Sequence, residues 1–389
     1  MPTERNGAGS RETADLVVAG AGVIGLACAW RAAASGLDTL VLDAGATERA
    51  SEVAAGMIAP VGEAVWGEEP LLAAAAASAE AWPAFAAELQ AAAGCEVPYR
   101  RCGALHVGLD RDEAAELRRR RDLHGELGLP ATWLRGSECR RLEPGLATAV
   151  AGGFDAPGEA EVDPRPLLVA LRAAAAAAGA RIEEGMAAVR VVVTAGRVAG
   201  VELADGRTVD TPRLLAATGA RMGGELLPPD VRPPIRPLKG EILRLRAPPG
   251  ERPCERIVVT ERVYVVPRAG GEVVVGASVE ERGFDLRVRA GSVHELLREA
   301  YRALPDVAEL ELVECAAGLR PTTPDNAPVI GPTAIDGLLL AGGHHRNGIL
   351  LAPITAEAIA LELAGAQLPE VIEPLRAERF SRPLQEMGA

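Results

Sequence analysis

A group of glycines near the N-terminus has the spacing that phosphate binding requires. Gly20, Gly22 and Gly25 form the pattern Gly-x-Gly-x-x-Gly, with Val23 and Ile24 between the last two glycines. The first glycine permits a tight turn, the second lets the backbone approach a phosphate, and the third lets a helix pack closely. The free N–H groups and the positive end of that helix attract an anion. The pattern therefore predicts a pyrophosphate-binding turn.

The acid that follows this turn narrows the choice of ligand. Asp43 ends the next apolar segment, where its carboxylate can accept hydrogen bonds from ribose hydroxyls. Its negative charge disfavours a 2′-phosphate, so FAD or NAD is favoured over NADP. A Gly-x-Gly-x-x-Gly pattern alone is a weak signal, because glycines also occur in ordinary turns. Here a strand, a helix, a second strand and an acid follow in the required order, so we predict dinucleotide binding.

The segments around these residues predict the fold of the dinucleotide-binding region. An apolar strand at residues 14–20, an alanine-rich helix at 26–35 and a strand at 38–42 form a βαβ unit, which implies a parallel sheet. The same pattern returns later in the chain. The predicted elements are a helix at 166–178, a strand at 180–183, a hairpin at 189–202, a strand at 213–217, a strand at 338–341 and a helix at 352–364.

A second type of pattern lies between residues 237 and 280. Short β-rich runs at 241–246, 257–259, 263–266 and 273–275 alternate with Pro and Gly turns, which predicts an antiparallel sheet. The predicted fold class is therefore α/β, or α+β overall. A discontinuous Rossmann-like domain (residues 14–90, 150–225 and 315–370) would be interleaved with an antiparallel-sheet substrate domain (91–149 and 226–314). Residues 1–13 and 371–389 are predicted to be tails.

The composition excludes several classes of function. Lys and Arg number 41 against 54 Asp and Glu, so the net charge is −13, and aromatic residues make up only 3%. This balance opposes binding to nucleic acid. The six cysteines form no Cys-x-x-Cys pair and the five histidines have no metal-ligand spacing, so no metal site is predicted. No apolar run predicts a membrane span, and the polar N-terminus does not resemble a signal peptide. We expect a cytoplasmic protein that forms a homo-oligomer.

Six segments of the chain carry motifs in a consistent order: residues 15–25, 53–57 (VAAGM), 237–241 (PLKGE), 263–268 (VYVVPR), 318–321 (GLRP) and 343–353. Together they resemble the D-amino acid oxidase superfamily, and the last two are especially similar to the glycine oxidases of the thiamine pathway. The resemblance spans about residues 14–365. Its most specific part is the run Gly-His-His-Arg-Asn-Gly-Ile-Leu-Leu-Ala-Pro.

The resemblance implies FAD as the cofactor, bound without a covalent link. Cys315, near the Gly-Leu-Arg-Pro segment, is the alternative that would anchor the flavin covalently. The glycine turn would hold the pyrophosphate, Asp43 the adenosine ribose, and the Val189 backbone the adenine. Residues 54–57 would lie beside the flavin, and residues 218–219 would belong to a second flavin-binding segment. The turn and helix start at residues 343–350 would lie near the pyrimidine end of the flavin ring, where N–H groups and a helix dipole would stabilise reduced flavin. The residues implied in these contacts are Ala54, Ala55, Gly56, Met57, Thr218, Gly219, Gly343, His345, Arg346, Asn347, Gly348, Ile349 and Leu350.

The substrate site that the resemblance implies is built around a carboxylate. Arg320 matches the carboxylate-binding arginine of the family, and guanidinium groups suit carboxylates because they make two parallel charge-assisted bonds. Tyr264 would add a hydroxyl donor, and Arg346 and Met57 would line the site. Spacing alone favours a surface or strand-end ion pair for Arg320, and Tyr264 could be a packing residue. No catalytic base is expected, because a hydride can leave a neutral amine directly, so His344 and His345 are not predicted to act as one.

Two positions depart from the family pattern. Val279 stands where glycine oxidases often carry a methionine near the substrate, and Arg221 stands where the superfamily often has a tryptophan.

The resemblance implies oxidation of glycine, sarcosine or small D-amino acids, with molecular oxygen as the electron acceptor and hydrogen peroxide as a product. The alternatives are a D-amino acid dehydrogenase that passes electrons to a quinone chain, and a flavoprotein subunit of a multisubunit oxidase.

Overall fold

The computed structural model describes residues 12–64 and 66–380. Strands and helices alternate along this part of the chain. The strands are β1 (Glu12–Thr13), β2 (Leu16–Ala19), β3 (Thr39–Asp43), β4 (Met57–Ile58), β5 (Tyr99–Arg100), β6 (Ala104–Gly108), β7 (Thr132–Arg135), β8 (Gly152–Ala156), β9 (Ala160–Val162), β10 (Arg181–Glu184), β11 (Ala188–Thr194), β12 (Arg197–Leu203), β13 (Thr208–Asp210), β14 (Leu214–Ala216), β15 (Arg236–Arg246), β16 (Ile257–Val259), β17 (Tyr264–Pro267), β18 (Glu272–Gly276), β19 (Glu311–Thr322), β20 (Val329–Pro332) and β21 (Leu338–Gly342).

Helices cover the sheets and connect their strands. Asp163 caps one of them by accepting a hydrogen bond from the Arg165 N–H, directly before a proline at the first helical position. The helices are α1 (Val23–Ala34), α2 (Ala50–Val53), α3 (Glu69–Ala93), α4 (Arg111–Glu126), α5 (Gly136–Leu142), α6 (Pro164–Ala177), α7 (Ala290–Ala303) and α8 (Ala352–Leu363). None of the helices in the described ranges combines the length and apolarity needed to cross a membrane.

A six-stranded sheet in the order β10-β3-β2-β14-β21-β20 carries the predicted βαβ unit. Neighbouring strands are parallel except for the pair β20 and β21. In β2, Leu16 and Val18 face one core and Val17 faces another. Both faces are therefore buried, as the apolar sequence of this strand indicates. The βαβ prediction is confirmed, although α1 begins at Val23 rather than residue 26.

An eight-stranded sheet forms the second large layer, in the order β19-β15-β18-β17-β16-β6-β8-β7. Strands β15, β18 and β17 are antiparallel neighbours, which confirms the prediction for residues 237–280. The sheet also includes β8 and most of β19, which lie in segments predicted for the dinucleotide-binding domain. Strand pairing is non-local, so these partners are not evident from sequence order.

Two smaller sheets and the chain ends complete the fold. The first sheet has the order β1-β13-β12-β11 and contains the predicted hairpin, and the second has the order β4-β9-β5. The predicted tails are too long. Glu12 and Thr13 pair with β13, and Ile372 and Leu375 are buried in the main core. The remainder of both tails (residues 1–11 and 381–389) lies outside the described residues.

Candidate functional site

A cavity of about 810 Å³ opens at the carboxyl ends of the parallel strands. Gly20 follows β2, Ala44 follows β3, Ala217 follows β14 and Gly342 ends β21, and all four residues line the cavity. Ligands of open α/β sheets bind at this edge. Residues of β15, β17, β18 and β19 line the opposite part of the cavity. The cavity therefore joins the two main sheets.

The glycine turn has the geometry predicted from its sequence. Gly20 has φ of +113°, and a Cβ there would overlap the Ala217 carbonyl. A Cβ on Gly25 would overlap the Gly20 carbonyl oxygen, so the helix needs glycine at this position to pack so closely. Gly22 caps α1 without a side-chain hydrogen bond, and the Val23 N–H donates to Ser51 Oγ at 3.1 Å. The N-terminal end of α1 therefore faces the cavity.

Asp43 lies at the cavity wall with its carboxylate already partnered. One oxygen accepts from the Gly45 N–H at 2.9 Å and from Arg49, and the other accepts from Arg172 at 2.7 Å. The residue is 5% exposed. These bonds order the loop after β3, and Arg49 was not among the predicted site residues. Contact between Asp43 and a ribose stays a prediction.

A buried arginine fixes the backbone of residues 54–57. Arg268 donates to the Ala55 carbonyl and pairs with Glu161 of β9. Burial lowers the pKa of Arg268 to about 10. Gly56 has φ of +71° and would overlap the Val162 carbonyl if it carried a Cβ. These contacts give Arg268 a structural role and present residues 54–57 to the cavity.

Two adjacent histidines lie in the turn that leads to α8. His345 has φ of +48°; its N–H donates to the Pro321 carbonyl at 2.8 Å, and its Nδ1 lies 3.0 Å from Thr322 Oγ1. His344 Nε2 lies 3.0 Å from Thr355 Oγ1. Burial lowers the pKa of both imidazoles to about 3. Both histidines are therefore neutral at physiological pH.

Arg320 and Tyr264 meet at the end of the cavity that the eight-stranded sheet lines. Arg320 Nη1 donates to the Ser278 carbonyl at 3.1 Å, and the guanidinium shares a hydrogen bond with the Tyr264 hydroxyl. A Cβ on Gly240 would overlap the guanidinium, and one on Gly276 would overlap the Tyr264 ring. Burial lowers the pKa of Arg320 and raises that of Tyr264. Within the described ranges, no carboxylate pairs with Arg320.

Three charged residues share this end of the cavity with Arg320. Arg346 pairs with Glu63, and Arg120 lies on α4 and donates to the Gly62 carbonyl. Glu63, Arg120, Ser51 and Arg49 were not predicted. The sequence offers no spacing signal for them, because the turns and helices that carry them meet only in the folded chain.

The cavity brings together most of the predicted residues. Gly25, Gly343 and Leu350 are not among its lining residues, and the Leu350 carbonyl instead accepts from Ser78 and Trp82. Cys315 packs against the core beneath the eight-stranded sheet, away from the lining, so the covalent alternative gains no support. Predicted residues that line the cavity are Gly20, Gly22, Val23, Ile24, Asp43, Ala54, Ala55, Gly56, Met57, Val189, Thr218, Gly219, Tyr264, Val279, Arg320, His345, Arg346, Asn347, Gly348 and Ile349.

Two observations test whether a dinucleotide fits. The Thr218 hydroxyl lines the cavity, is inaccessible to solvent, and has no hydrogen-bond partner among the described residues. Gly20 and Gly22 place no side chain of their own at the N-terminal end of α1, where Ser51 Oγ accepts a hydrogen bond from the Val23 N–H. Polar groups and space for an anionic ligand are therefore both present. Among the same residues, no cluster of His, Cys, Asp and Glu could hold a metal ion.

Comparison with known proteins gives consistent results over nearly the whole chain. Residues 15–361 match the model of the family described as FAD dependent oxidoreductase. A glycine oxidase from Geobacillus kaustophilus is 33% identical over 359 residues, which cover 89% of this chain and 92% of that protein. A bifunctional protein ThiO/ThiG from Trichormus variabilis is 33% identical over 372 residues, covering 95% of this chain and 56% of that protein. The chain thus spans about half the length of the ThiO/ThiG relatives that it matches.

Solved structures show the same similarity. The crystal structure of glycine oxidase from Geobacillus kaustophilus has a TM-score of 0.88 and 30% identity, covering 95% of this chain and 99% of that chain. Iminodiacetate oxidase from a Chelativorans species has a TM-score of 0.84 and 25% identity, covering 93% and 98% of the two chains.

Proposed function

The chain belongs to the FAD dependent oxidoreductase family, and we propose that it oxidises glycine and other small amines, among them sarcosine and D-alanine. The family confirms the predicted cofactor and the class of FAD-dependent oxidoreductases, and the glycine oxidase relatives support the oxidation of an amino acid. The proposed products are an oxo acid, ammonia or an amine, and hydrogen peroxide.

The observation that carries this proposal is the guanidinium of Arg320. It faces the cavity without a carboxylate partner in the described part of the chain, and Tyr264 lies beside it. A desolvated cation without a counter-ion is costly, and a bidentate substrate carboxylate would remove that cost. The glycine oxidase relatives support a small substrate.

The chain's own residues would bind the cofactor and orient the substrate. The N-terminal end of α1 and the Thr218 hydroxyl would hold the phosphates and polar groups of FAD, with segment 54–57 and the turn at residues 344–349 at its flavin end. When bound, FAD would supply the oxidation of the substrate, by hydride transfer from Cα to flavin N5, with molecular oxygen as the final electron acceptor. Arg320 and Tyr264 would fix the carboxylate so that Cα points toward the flavin, because orientation supplies most of the rate. Neutral His345 would contribute packing and a hydrogen bond rather than a charge.

The relatives support a place for this reaction in thiamine synthesis, where oxidised glycine would supply an imine for the thiazole half. We also propose that the chain acts as a homo-oligomer in the cytoplasm and uses molecular oxygen. One specific observation favours the alternative of a multisubunit oxidase: a hydrogen cyanide synthase subunit HcnC from Pseudomonas aeruginosa is 28% identical over 405 residues.

A substrate panel on purified, FAD-loaded protein tests the proposal. Glycine, sarcosine, D-alanine and an aromatic D-amino acid are compared, with peroxide detected in one series and reduction of an artificial dye in the other. Peroxide from the small amines supports an oxidase. Turnover with the dye alone indicates a dehydrogenase, and no turnover by the isolated chain in either series indicates a subunit that requires partners.

A further inference from the structure

The peptide groups around Gly62 are held by two charged side chains from distant parts of the sequence. Glu159 Oε1 accepts from the Gly62 N–H at 2.5 Å, and Arg120 Nη2 donates to the Gly62 carbonyl at 2.6 Å. Glu159 is fully buried. A Cβ on Gly62 would lie 2.6 Å from the His106 ring, so only glycine fits without a shift. Buried charges are costly, and here they fix the position of a single short turn.

The residue that this turn presents to the cavity is Glu63. Its carboxylate pairs with Arg346, which belongs to the turn near the proposed flavin end, and its side chain is 24% exposed. The Glu63 backbone is thus fixed through Gly62, and its carboxylate through Arg346. We call Gly62, Glu159 and Arg120 the Gly62 clamp.

The charges at this end of the cavity are complementary to an amino acid. Arg320 offers a cation for the carboxylate, and Glu63 offers an anion in the same space. Burial raises the pKa of Tyr264, Arg320 opposes that rise, and the negative charge of Glu63 adds to it. Glu63 therefore lies within electrostatic reach of the carboxylate site. A carboxylate bound at Arg320 is repelled by Glu63, whereas an N–H of an amino group on the adjacent carbon can donate a hydrogen bond to it.

We propose that Glu63 accepts a hydrogen bond from the substrate's amino group and thereby selects amino acids over other small carboxylic acids. This inference rests on the proposed function. The Gly62 clamp positions Glu63, and its members do not touch the substrate in this role. The site would thus distinguish amino acids from other small carboxylic acids through the cation of Arg320 and the anion of Glu63.

The test compares a ligand that has an amino group with one that lacks it. FAD-loaded wild type and Glu63→Gln are assayed for kcat/KM with glycine and for inhibition by acetate. Because Glu63→Gln removes the charge of the hydrogen-bond acceptor, we expect kcat/KM for glycine to fall about 10- to 100-fold. Acetate inhibition should stay equal or become tighter, since a repelling charge is removed. Equal weakening of both ligands would overturn the proposal, because a distorted site affects both.

A binding measurement separates this proposal from the proposed function. Glycine and acetate are titrated anaerobically against the visible absorbance of the bound flavin. If the wild type oxidises no amine, the proposed function is overturned, and the ratio of the two affinities still decides the role of Glu63. The change that Glu63→Gln causes in the ratio of glycine affinity to acetate affinity should also persist in an Arg346→Gln background. Its disappearance there would mean that Glu63 acts only through Arg346, which overturns the proposal.

The clamp has a matched control on the same helix. Arg120→Met should shift the glycine-to-acetate ratio in the same direction as Glu63→Gln, by a smaller factor of about 3 to 10, because Glu63 becomes less well fixed. Arg119, the neighbouring residue, is exposed and pairs with Glu116, so Arg119→Met should leave the ratio unchanged. An Arg120→Met variant that lowers activity without moving the ratio would assign the clamp a purely structural role.

Discussion

The two ends of the cavity are formed by different parts of the residues, backbone at one end and side chains at the other. The end beside α1 consists mainly of backbone: glycines without side chains and a helix terminus, all within a short stretch of sequence. The end beside Arg320 consists of side chains: Tyr264 on β17, and the charged groups of residues on β19, α4 and two turns. A backbone-built site depends on the absence of side chains, whereas a site built from side chains depends on which residues the fold brings together.

This difference separates the expected effects of mutation. Changes at the glycine turn should cause loss of FAD and of stability together, because the same atoms shape the fold and the cofactor site. Changes at the Arg320 end should leave FAD bound and alter kinetics, because these side chains lie against the substrate space. Variants at each end of the cavity can therefore test the separation.

The largest effect is expected at Gly25. Gly25→Ala places a Cβ against the Gly20 carbonyl, so we expect a loss of at least about 3 kcal/mol in the free energy of unfolding and purified protein without yellow colour. Gly125 lies in helix α4, and a Cβ at this position would meet no other atom within 4 Å, so Gly125→Ala should be neutral or stabilising by up to about 1 kcal/mol. Urea unfolding and visible absorbance measure both. A yellow, stable Gly25→Ala protein would show that the close packing is not required.

The next largest effect is expected at Arg320. Arg320→Ala should lower kcat/KM for glycine about 100-fold, mainly through KM, while the FAD content stays that of the wild type. Arg320→Lys should recover only part of this loss, since an ammonium cannot make two parallel bonds. Arg197, an exposed partner of Asp336, provides the control for removing an arginine. Unchanged kinetics in the alanine variant would remove Arg320 from the substrate site.

Asp43 tests the backbone-built end through a side chain. Asp43→Ala removes the acceptor of two arginines and the predicted acceptor of ribose, so FAD should bind more weakly by about 1–3 kcal/mol. The Kd is measured by titrating the apoprotein with FAD. Asp336→Ala, at an exposed ion pair, is the control and should leave the Kd unaltered. If the Asp43 variant binds FAD as the wild type does, the carboxylate serves only the loop after β3.

The same contrast explains which features the sequence could predict. Gly20, Gly22, Gly25 and Asp43 act through local spacing, so the βαβ unit and its turn were predictable. Arg320 and Tyr264 were identified only through resemblance to a family. Spacing alone favours an ion pair for Arg320 and is compatible with a packing role for Tyr264. Glu63 was missed because its neighbour Gly62 is held by residues 58 and 97 positions away. Charged networks of this kind depend on tertiary structure and have no local pattern.

His344 links the site to acid stability. Its pKa is lowered by burial to about 3, below the usual value of about 6.5 in an unfolded chain. The unfolded state therefore binds the extra proton, and stability is lost as the pH falls below about 6.5. Between pH 7.5 and 5 this costs about 2 kcal/mol. His344→Gln should lose correspondingly less stability over that interval in urea unfolding, whereas the exposed His294→Gln should behave like the wild type. Identical pH slopes for all three proteins would contradict the neutral state of His344.

The smallest effect is expected at Val279, on the edge of the substrate end. The family resemblance places this residue in the pocket, where a change of one methylene is worth about 1–3 kcal/mol in discrimination. Val279 does line the cavity, but it is 69% exposed, so most of its surface stays in contact with water. We therefore expect Val279→Met to shift the kcat/KM ratio of D-alanine to glycine toward glycine by less than about 1 kcal/mol, or about fivefold. Val169, which is 65% exposed and lies on α6, supplies the matched control, and Val169→Met should leave the ratio unchanged. A shift above tenfold would mean that Val279 closes over the substrate when it binds. A ratio equal to that of the wild type would mean that Val279 does not face the substrate.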